Sequence, residues 1–201
     1  MKIELSRAQF KAILDGTAHA VEKIGWRPML AYIQLEVTKE RITAVALDGY
    51  RAGRVRIMKQ SAEEFTCFFK PIPFSRVSDV DPVVLEYDKD SKVLYITVQD
   101  SSFGKVRYEF DNKPLMGDFP DVEKIYNDAY SVHDETTTCN AGYVLKACKA
   151  ILSHKFDKNA QIDIRTSQSE LSPFVIRANG ADNDGCEITD EQLLLPIRTQ
   201  K

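Results

Sequence analysis

The chain has 201 residues, of which 43% are hydrophobic and 28% charged, a balance typical of a globular protein with one large domain or two small ones. Its formal net charge of −3 argues against a protein that coats nucleic acid with its whole surface, although it allows one basic face. No segment is apolar over the length of a membrane span, and Met1–Ser6 lacks the apolar core of a secretory leader.

The first predicted element is a helix over Ser6–Ile24, because apolar residues recur three or four positions apart and Ser6 can cap the first turn. Its apolar face comprises Phe10, Ile13, Leu14, Ala18, Val21 and Ile24. Strands are predicted to follow at Ala31–Val37, Ile42–Leu47 and Gly53–Met58.

A second unit follows with a strand at Phe65–Phe69 and a short helix at Pro71–Asp79, whose prolines are tolerated in a first helical turn. Further strands are predicted at Val83–Tyr87, Val93–Val98 and Lys105–Phe110. A polar turn cluster separates the first two of these strands.

The third unit begins with a strand near Tyr130–Thr137 and a helix over Ala141–His154, whose apolar residues again share one face. Strands are predicted at Gln161–Thr166, Phe174–Ala178 and Gln192–Arg198. The last of them is an apolar run, whereas chain ends are usually polar. It is either a core strand that happens to come last or apolar surface offered to a partner.

The three predicted helices begin near Ser6, Pro71 and Asn140, roughly 65 to 70 residues apart. Each unit therefore comprises a strand, a helix and three strands. We predict an α+β fold in which the helices cover one face of a continuous antiparallel sheet. Two units would form one domain over 1–127, and the third a half-domain over 128–201. Since the third unit has no mate within the chain, oligomerisation is favoured.

A group of short segments resembles motifs of one known family. They are Arg27–Leu30, Leu47–Arg51, Met116–Asp121, Asn140–Leu145, Ser172–Ile176 and Leu195–Arg198. In this order they resemble the bacterial DNA polymerase III β subunit, the sliding clamp. For example, Leu47–Arg51 resembles its Thr-Asp-Gly-His-Arg motif, and Leu195–Arg198 resembles its terminal Met-Pro-Met-Arg. The resemblance implies a DNA-clamp fold shortened to the middle domain plus the second half of the third domain.

The chain also departs from this family. Leu47 stands where the family has threonine, Tyr50 where it has histidine, and Ala52 where it has leucine. Family members contain six units, whereas this chain contains three. A family ring would therefore need four such chains, whereas two chains joined through their half-domains would form a shorter arc. The resemblance thus implies a homo-oligomer, either a tetramer or a dimer.

The resemblance implies a peptide-binding pocket between the middle domain and the C-terminal strand, where polymerases and repair proteins dock a short apolar motif. The lining would comprise Leu30, Leu47, Gly49, Tyr50, Arg51, Pro120, Ile125, Pro173, Leu194, Leu195, Pro196, Ile197 and Arg198. Gly49 permits close approach of a partner backbone, and Tyr50 and Arg51 are residue types that anchor interfaces. The alternative for Asp48-Gly49 is a simple turn.

The resemblance also implies that helices face double-stranded DNA and present basic side chains to its phosphates without reading sequence. The candidates are Arg7, Lys11, Lys23, Lys70, Arg76, Lys146, Lys149 and Lys155. A solvated helix face with scattered charge explains each residue equally well. Basic positions in all three predicted helices together favour the DNA-facing interpretation.

No catalytic or metal-binding pattern is found in the sequence. The three histidines have no evident nucleophile partner, and the four cysteines form no CxxC pair. Cys67 and Cys148 fall on apolar faces, as buried thiols do. The acidic run over 182–191 is interpreted as a solvated loop, since its glutamate spacing does not fit a calcium loop. We expect a cytoplasmic protein that is not an enzyme and holds no metal or cofactor.

Two classes of function remain. The first is a sliding-clamp-like DNA polymerase processivity factor that holds DNA on a basic helix face and docks replication and repair proteins through the pocket. The second is a clamp-derived peptide-binding module that does not encircle DNA, such as a decoy or scaffold for polymerase motifs. An unrelated α+β enzyme without a recognisable motif is a distant third.

Overall fold

The computed structural model describes residues 1–22, 27–74, 82–100, 102–113, 119–130, 140–153, 162–165, 173–181 and 185–195. In chain order its elements are β1 (Lys2–Leu5), α1 (Arg7–Thr17), β2 (Ile33–Val37), β3 (Arg41–Leu47), β4 (Arg51–Met58), β5 (Phe65–Phe69), β6 (Val83–Asp88), β7 (Val93–Asp100), β8 (Gly104–Asp111), α2 (Val122–Tyr130), α3 (Ala141–Ser153), β9 (Ile162–Arg165), β10 (Phe174–Ala181) and β11 (Glu187–Leu194). Short 3₁₀ helices occupy Ala18–Ala20 and Pro28–Ala31. The first unit is β1-α1-β2-β3-β4, the second contains β5 to β8, and the third contains α3 and β9 to β11.

The first helix begins as the sequence predicts and ends earlier. Ser6 and Gln9 form a reciprocal capping box, with Gln9 N–H donating to the Ser6 hydroxyl at 3.2 Å and Ser6 N–H donating to the Gln9 side chain at 3.1 Å. The α-helix stops at Thr17, and Val21 is already extended. Glu22 N–H donates to the Leu30 carbonyl at 2.8 Å, so the chain beyond Ala20 pairs with the following segment instead of continuing the helix.

The first two units exchange their first strands. β1 lies antiparallel to β6 of the second unit, with Ile3 opposite Leu85. β5 lies antiparallel to β2 of the first unit, with Leu35 opposite Cys67. Because each unit completes the sheet of the other, neither can bury its own apolar face alone.

The strands form two sheets, with orders β1-β6-β7-β8 and β5-β2-β3-β4-β11-β10-β9. The expectation of a single continuous sheet is therefore wrong. The antiparallel pairing of β4 with β11 joins the third unit to the first, with Ala52 opposite Leu193 and Val55 opposite Asp190. This pairing belongs to the seven-stranded sheet, whereas β8 of the second unit lies in the separate four-stranded sheet. We call the β4–β11 pairing the seam.

The strand at the seam overturns one prediction. β11 spans Glu187–Leu194, so the residues interpreted as an acidic loop include a strand whose Asp190 and Glu191 are fully buried. The predicted strand over Gln192–Arg198 therefore begins earlier than expected. Within the described residues it ends at Leu194, and residues 196–198 lie outside them.

Helices lie on both faces of the seven-stranded sheet, which corrects the expectation that all of them cover one face. α1 packs on β4, β11 and α3, and it buries Phe10, Ile13 and Leu14 in an inner core that also includes Val55 and Ile188. α2 packs on the opposite face, because its Tyr126 shares a cluster with Ala52 and Leu193. Successive strand residues point to opposite faces, so Ala52 and Val55 serve different helices.

Two glycines allow α1 to lie unusually close to the seam. A Cβ atom on Gly53 would stand 2.1 Å from the carbonyl oxygen of Gly16, and one on Gly16 would stand 2.3 Å from a methyl carbon of Val55. Since the Gly53 obstacle is helix backbone, a side chain there would push α1 away from the sheet.

Several other predicted elements differ from the structure or lie outside it. Residues 71–74, where a helix was expected, are not helical, and 75–79 lie outside the described residues. Tyr130, expected to begin a strand, is the last residue of α2, and the rest of that strand is outside the described part. α2 itself was not predicted. The prediction that Cys67 is buried is confirmed, whereas Cys148 is only half-buried.

Candidate functional site

An apolar cluster lies between α2 and the outer face of the seven-stranded sheet. Its buried members are Leu30, Val45, Leu47, Ala52, Val122, Tyr126, Val175 and Leu193, with Met29, Phe119, Ile125 and Leu195 half-buried at the margin. We call it the outer cluster. It brings together four residues predicted to line one pocket, namely Leu30, Leu47, Ile125 and Leu195, although they come from four distant parts of the chain.

A rigid turn over residues 48–51 forms one side of this surface. Gly49 has φ +86°, a conformation that glycine adopts readily. The Asp48 carboxylate accepts hydrogen bonds from the backbone N–H groups of Tyr50 and Arg51 at 3.0 and 3.1 Å, and from Arg51 Nε at 2.9 Å. Leu195 N–H donates to the Tyr50 carbonyl at 2.9 Å. The turn thereby fixes the backbone of Tyr50, whose side chain is 65% exposed.

Two depressions adjoin the outer cluster. One, of about 320 Å³, is lined by Glu22, Arg27, Leu30, Asp48, Gly49 and Tyr50. The other, of about 250 Å³, lies between the 119–123 segment and the outward side chains of β2, β3 and β5, and Pro120 is in its wall. Leu30 belongs to the first depression and to the outer cluster, so the apolar floor continues into a rim that carries both charges.

Two predicted pocket residues point elsewhere. Leu194 belongs to a separate cluster beneath α3, with Phe174, Ile176 and Ile151. The prediction that it lines the same surface as Leu195 is therefore wrong, since β11 alternates and turns Leu193 outward instead. The Arg51 guanidinium lies 5.0 Å from the ring of Tyr143 in α3. Pro173 is half-buried at the start of β10, and Pro196, Ile197 and Arg198 lie outside the described residues.

A buried ion-pair network that was not predicted from the sequence fixes α2 to the seam. Arg54 Nε lies 2.6 Å from a Glu191 carboxylate oxygen, and both side chains are 1% exposed. Arg54 and Arg56 also contact Glu123 of α2, each at 3.1 Å, and Arg56 contacts Glu191 at 3.2 Å. Burial opposes the charge of Arg54, but the hydrogen bond and the charge of Glu191 outweigh it and raise the pKa of Arg54.

Tyr126 adds neutral hydrogen bonds to the same network. Its hydroxyl lies 2.8 Å from the Glu191 carbonyl and 3.3 Å from the Ala52 carbonyl, and its ring lies 3.7 Å from the Arg54 guanidinium carbon. α2 therefore touches both strands of the seam and carries Ile125 to the margin of the outer cluster. The sequence signal for α2 is Asp121, which accepts from Lys124 N–H at 3.2 Å, followed by apolar residues at helical spacing.

A second buried polar group lies beneath the end of α1. Gln192 Nε2 donates to the Gly16 carbonyl at 2.8 Å and also to the Asp190 carboxylate. The ring nitrogens of His19 are shielded from water. Burial and the positive charge of Arg51 lower the pKa of His19, and the Asp190 carboxylate opposes this shift in part.

The candidate DNA-facing residues fall into two sets. Lys146 and Lys149 are exposed on α3. The others within the described part have protein partners: the Arg7 guanidinium lies 4.8 Å from the Phe74 ring, Lys11 pairs with Asp15, and Lys70 Nζ lies 5.1 Å from the Tyr32 ring. Lys23, Arg76 and Lys155 lie outside the described residues. α1 and α3 pack side by side, whereas Lys70 follows β5.

Two kinds of feature are absent from the described residues. No helix there combines the length and apolar character needed to cross a membrane. Nor does that part of the chain contain a group of three or more His, Cys, Asp or Glu side chains placed to hold a metal ion.

The exchanged strands, the α1–α3 layer and the seam define a clamp-type α+β fold. The fold is that of DNA polymerase III β subunits, the bacterial sliding clamps. The Streptococcus pneumoniae β chain matches 99% of this chain with a TM-score of 0.67 at 18% identity. A Pseudomonas aeruginosa sliding clamp bound to griselimycin matches with a TM-score of 0.66 at 14% identity over 99% of the chain, and the Thermotoga maritima β subunit with 0.62 at 12% over 100%.

The match covers only part of those proteins. This chain spans 65% of the Streptococcus chain and 66% of each of the other two. No protein-family model and no curated protein matches the sequence. The structural match, with TM-scores of 0.62 to 0.67, establishes the shared fold.

Proposed function

We propose that this chain is a non-catalytic, clamp-like replication factor that docks short apolar peptides of polymerases or repair proteins on the outer cluster. The observation that carries the proposal is the convergence of Leu30, Leu47, Ile125 and Leu195 beside an exposed aromatic side chain on a rigid turn. A prearranged apolar floor with a polar rim lowers the ordering cost of binding an extended peptide.

The expected affinity follows from the size of the surface. A peptide that buries two or three apolar side chains gains about 1.5–3 kcal/mol for each, before the costs of ordering and association. A dissociation constant on the order of micromolar follows. A peptide with leucine and phenylalanine anchors is the appropriate probe, and calorimetry with the full chain is the measurement.

Matched aromatic variants test the assignment. Tyr50 and Phe103 are 65% and 72% exposed, but Phe103 lies in the β7–β8 turn of the four-stranded sheet and is not part of the outer cluster. Tyr50→Ala should weaken peptide binding by about 1–2 kcal/mol, and Phe103→Ala should leave it unchanged. Ile125→Asp, which places a charge at the margin, should abolish binding while the chain stays folded. Equal affinities for all three variants would remove the outer cluster as the docking site.

The second part of the proposal is that the α1–α3 layer faces double-stranded DNA. Lys146 and Lys149 are the exposed cations that support it. Homo-oligomerisation would be required to surround a duplex, because the chain contains half as many units as a family member. The experiment is a DNA-binding titration across salt concentrations, which reports how many phosphates are contacted.

One observation favours the alternative of a peptide-binding module that does not encircle DNA. Lys11 is paired with Asp15, and the half-buried Arg7 lies over the Phe74 ring, so α1 offers fewer available cations than the sequence indicated. If the chain binds the probe peptide at micromolar concentration and shows no salt-dependent DNA association, this alternative replaces the encircling role. The two parts of the proposal can therefore fail separately.

A further inference from the structure

The outer edge of β8 is open in the part of the chain that the structure describes. β8 pairs with β7 on one side, and the sheet order places it last. Asn112 N–H donates to the Lys92 carbonyl at 2.9 Å, which continues the β7–β8 register. Even-numbered residues of β8 therefore turn their backbone groups toward β7, and odd-numbered residues turn theirs toward the open edge. An edge of this kind is a template for pairing with another strand.

The charges on β8 are self-complementary. The strand reads Lys105-Val106-Arg107-Tyr108-Glu109-Phe110-Asp111. If a second copy lies antiparallel with a twofold axis at Tyr108, Lys105 faces Asp111 of the other copy and Arg107 faces Glu109. Each of these pairs occurs twice, so four opposite-charge pairs form and no like charges meet.

The same register satisfies the backbone. The charged residues are the odd-numbered ones, and this axis sets odd-numbered residues opposite one another. They would exchange about eight main-chain hydrogen bonds, two for each of four pairs. Any register shifted by one residue would set backbone groups that point outward against groups already used by β7. The alternation of free backbone groups along β8 and the order of its charges therefore each agree with the register whose axis lies at Tyr108.

The apolar side of β8 also calls for a neighbour. Val106, Tyr108 and Phe110 are half-buried and pack against the inner core, because the sheet ends beside them. In the twofold arrangement Val106 lies opposite Phe110 of the other copy, and the two Tyr108 rings meet at the axis. Cross-strand aromatic and β-branched pairs of this kind stabilise antiparallel strands.

The molecule already contains an equivalent contact. β4 and β11 are the last strands of the first and third units, and they pair antiparallel to form the seam. β8 is the last strand of the second unit. We propose that it pairs in the same way with β8 of a second copy of this chain, giving an isologous dimer whose twofold axis passes between the Tyr108 residues. The dimer is independent of peptide docking, because it uses neither the outer cluster nor α2.

Charge reversal tests the register directly. Arg107→Glu leaves β8 with acidic residues at 107 and 109, and Glu109→Arg leaves it with basic residues at both. Each variant alone should dimerise about tenfold or more weakly than the unaltered chain, since like charges oppose each other twice. An equimolar mixture should recover the dimer, because every pair in the mixed species is complementary. Sedimentation equilibrium of the full chain measures the mass.

Arg107 also lies 3.5 Å from Glu86 of its own chain, so a second pair of variants leaves Arg107 unchanged. Lys105→Glu and Asp111→Lys should likewise weaken the dimer separately and restore it when mixed. Lys39→Glu and Glu40→Arg make charge changes of the same sign and size in the β2–β3 turn, and they should leave the mass unchanged. Thermal unfolding confirms that each variant is folded.

The outcomes are decisive in both directions. Recovery in the mixtures, with no effect of the turn controls, supports the β8 dimer. The proposal is overturned if the unaltered chain is a monomer at tens of micromolar, if single variants dimerise as well as the unaltered chain, or if mixtures fail to recover. Calorimetry with the probe peptide on the same variants keeps this result separate, because peptide affinity should not change in any of them.

Discussion

His19 is the residue whose protonation opposes the fold. The ring lies among Arg51, Asp190 and Gln192, and its pKa is lowered from the usual 6.5 by burial and by the Arg51 charge. The unfolded chain therefore binds a proton at His19 at a higher pH than the folded chain does. As pH falls through about 6.5, the proton favours unfolding, so stability is lost toward acid and is retained above that value.

The His19→Gln variant isolates this contribution. We expect the unaltered chain to lose more free energy of unfolding than the variant between about pH 7.5 and pH 5.5, because the variant has no ring to protonate. Urea midpoints at the two pH values provide the comparison. Parallel losses would mean that other groups, not His19, cause the acid sensitivity.

A side chain at Gly53 should destabilise the contact between α1 and β4. A methyl group there would meet the Gly16 carbonyl oxygen at 2.1 Å, and α1 could relieve the contact only by moving away from β4. Gly53→Ala should therefore lower the free energy of unfolding by about 1–3 kcal/mol. Gly142→Ala is the matched control, because the nearest atom to its new methyl group is a side-chain oxygen of Asn140 at 3.0 Å and not the backbone of another element. Chemical denaturation of both variants gives the difference.

At the scale of elements, α2 depends on charges buried at the seam. Glu191→Gln keeps the shape of the side chain and removes the charge that balances Arg54, which is 1% exposed. Loss of a buried charge partner costs up to about 3–5 kcal/mol, and the acidic contact that remains for Arg54 is Glu123, whose side chain is half exposed. Tyr126→Phe should cost about 1–3 kcal/mol, since two buried carbonyl groups lose a donor.

A surface pair provides the control for these two variants. Lys2 and Glu4 lie 2.8 Å apart, with each side chain 53% exposed, and exposed pairs of this kind contribute little. Glu4→Gln should leave the thermal midpoint unchanged. If Glu191→Gln is equally neutral, water or the Glu123 carboxylate compensates the Arg54 charge, and the buried Glu191 charge is not needed to hold α2 at the seam.

The elements that the sequence predicted well are those with a clear apolar period. α3 and most strands were placed within a few residues, and α1 was placed correctly at its start but predicted to end seven residues too late. Their apolar residues, such as Phe10, Ile13 and Leu14 of α1, bury one face. The predicted start of β11 was too late, because the polar side chains of Asp190 and Glu191 indicated an exposed loop. Their burial depends on Gln192 and Arg54, partners that only the folded chain brings close.

For the candidate site, the family resemblance supplied the segments and tertiary structure decided which side chains meet. Leu30, Leu47, Ile125 and Leu195 do come together. Leu194 does not, because one residue of strand alternation turns it toward α3. The pairing of β4 with β11 links residues more than a hundred positions apart, and no local pattern encodes it.

At the scale of the whole molecule, the predicted division at residue 127 stays a prediction. α2 spans Val122–Tyr130 and so crosses that boundary. Tyr126 bonds to carbonyl groups on both sides of the seam. We expect the two parts to unfold together, and limited proteolysis should cut no site inside α2 before global unfolding.

Binding to DNA is also a property of the whole molecule, because it depends on how many cations reach phosphate at once. The logarithm of affinity falls with the logarithm of salt concentration by about 0.9 for each phosphate contacted. Lys146→Ala with Lys149→Ala should reduce that slope by about 2. Lys39→Ala with Lys89→Ala, which removes equal charge from two exposed turns, should not. Equal slopes for the two double variants would identify the α3 cations as an ordinary solvated face.

The exchange of first strands also has a consequence for the order of events during synthesis. The amino group of Met1 donates to the Tyr87 carbonyl, 86 positions away, and among the described strands β1 pairs with β6 alone. At about 5–20 residues per second, the ribosome makes β1 roughly 4 to 17 seconds before that partner exists. During this interval α1 has no completed core to cover. A nascent chain paused before β6 emerges would leave β1 without its partner strand and the inner core beneath α1 incomplete. We therefore expect translational pausing in the 60–90 region to promote aggregation.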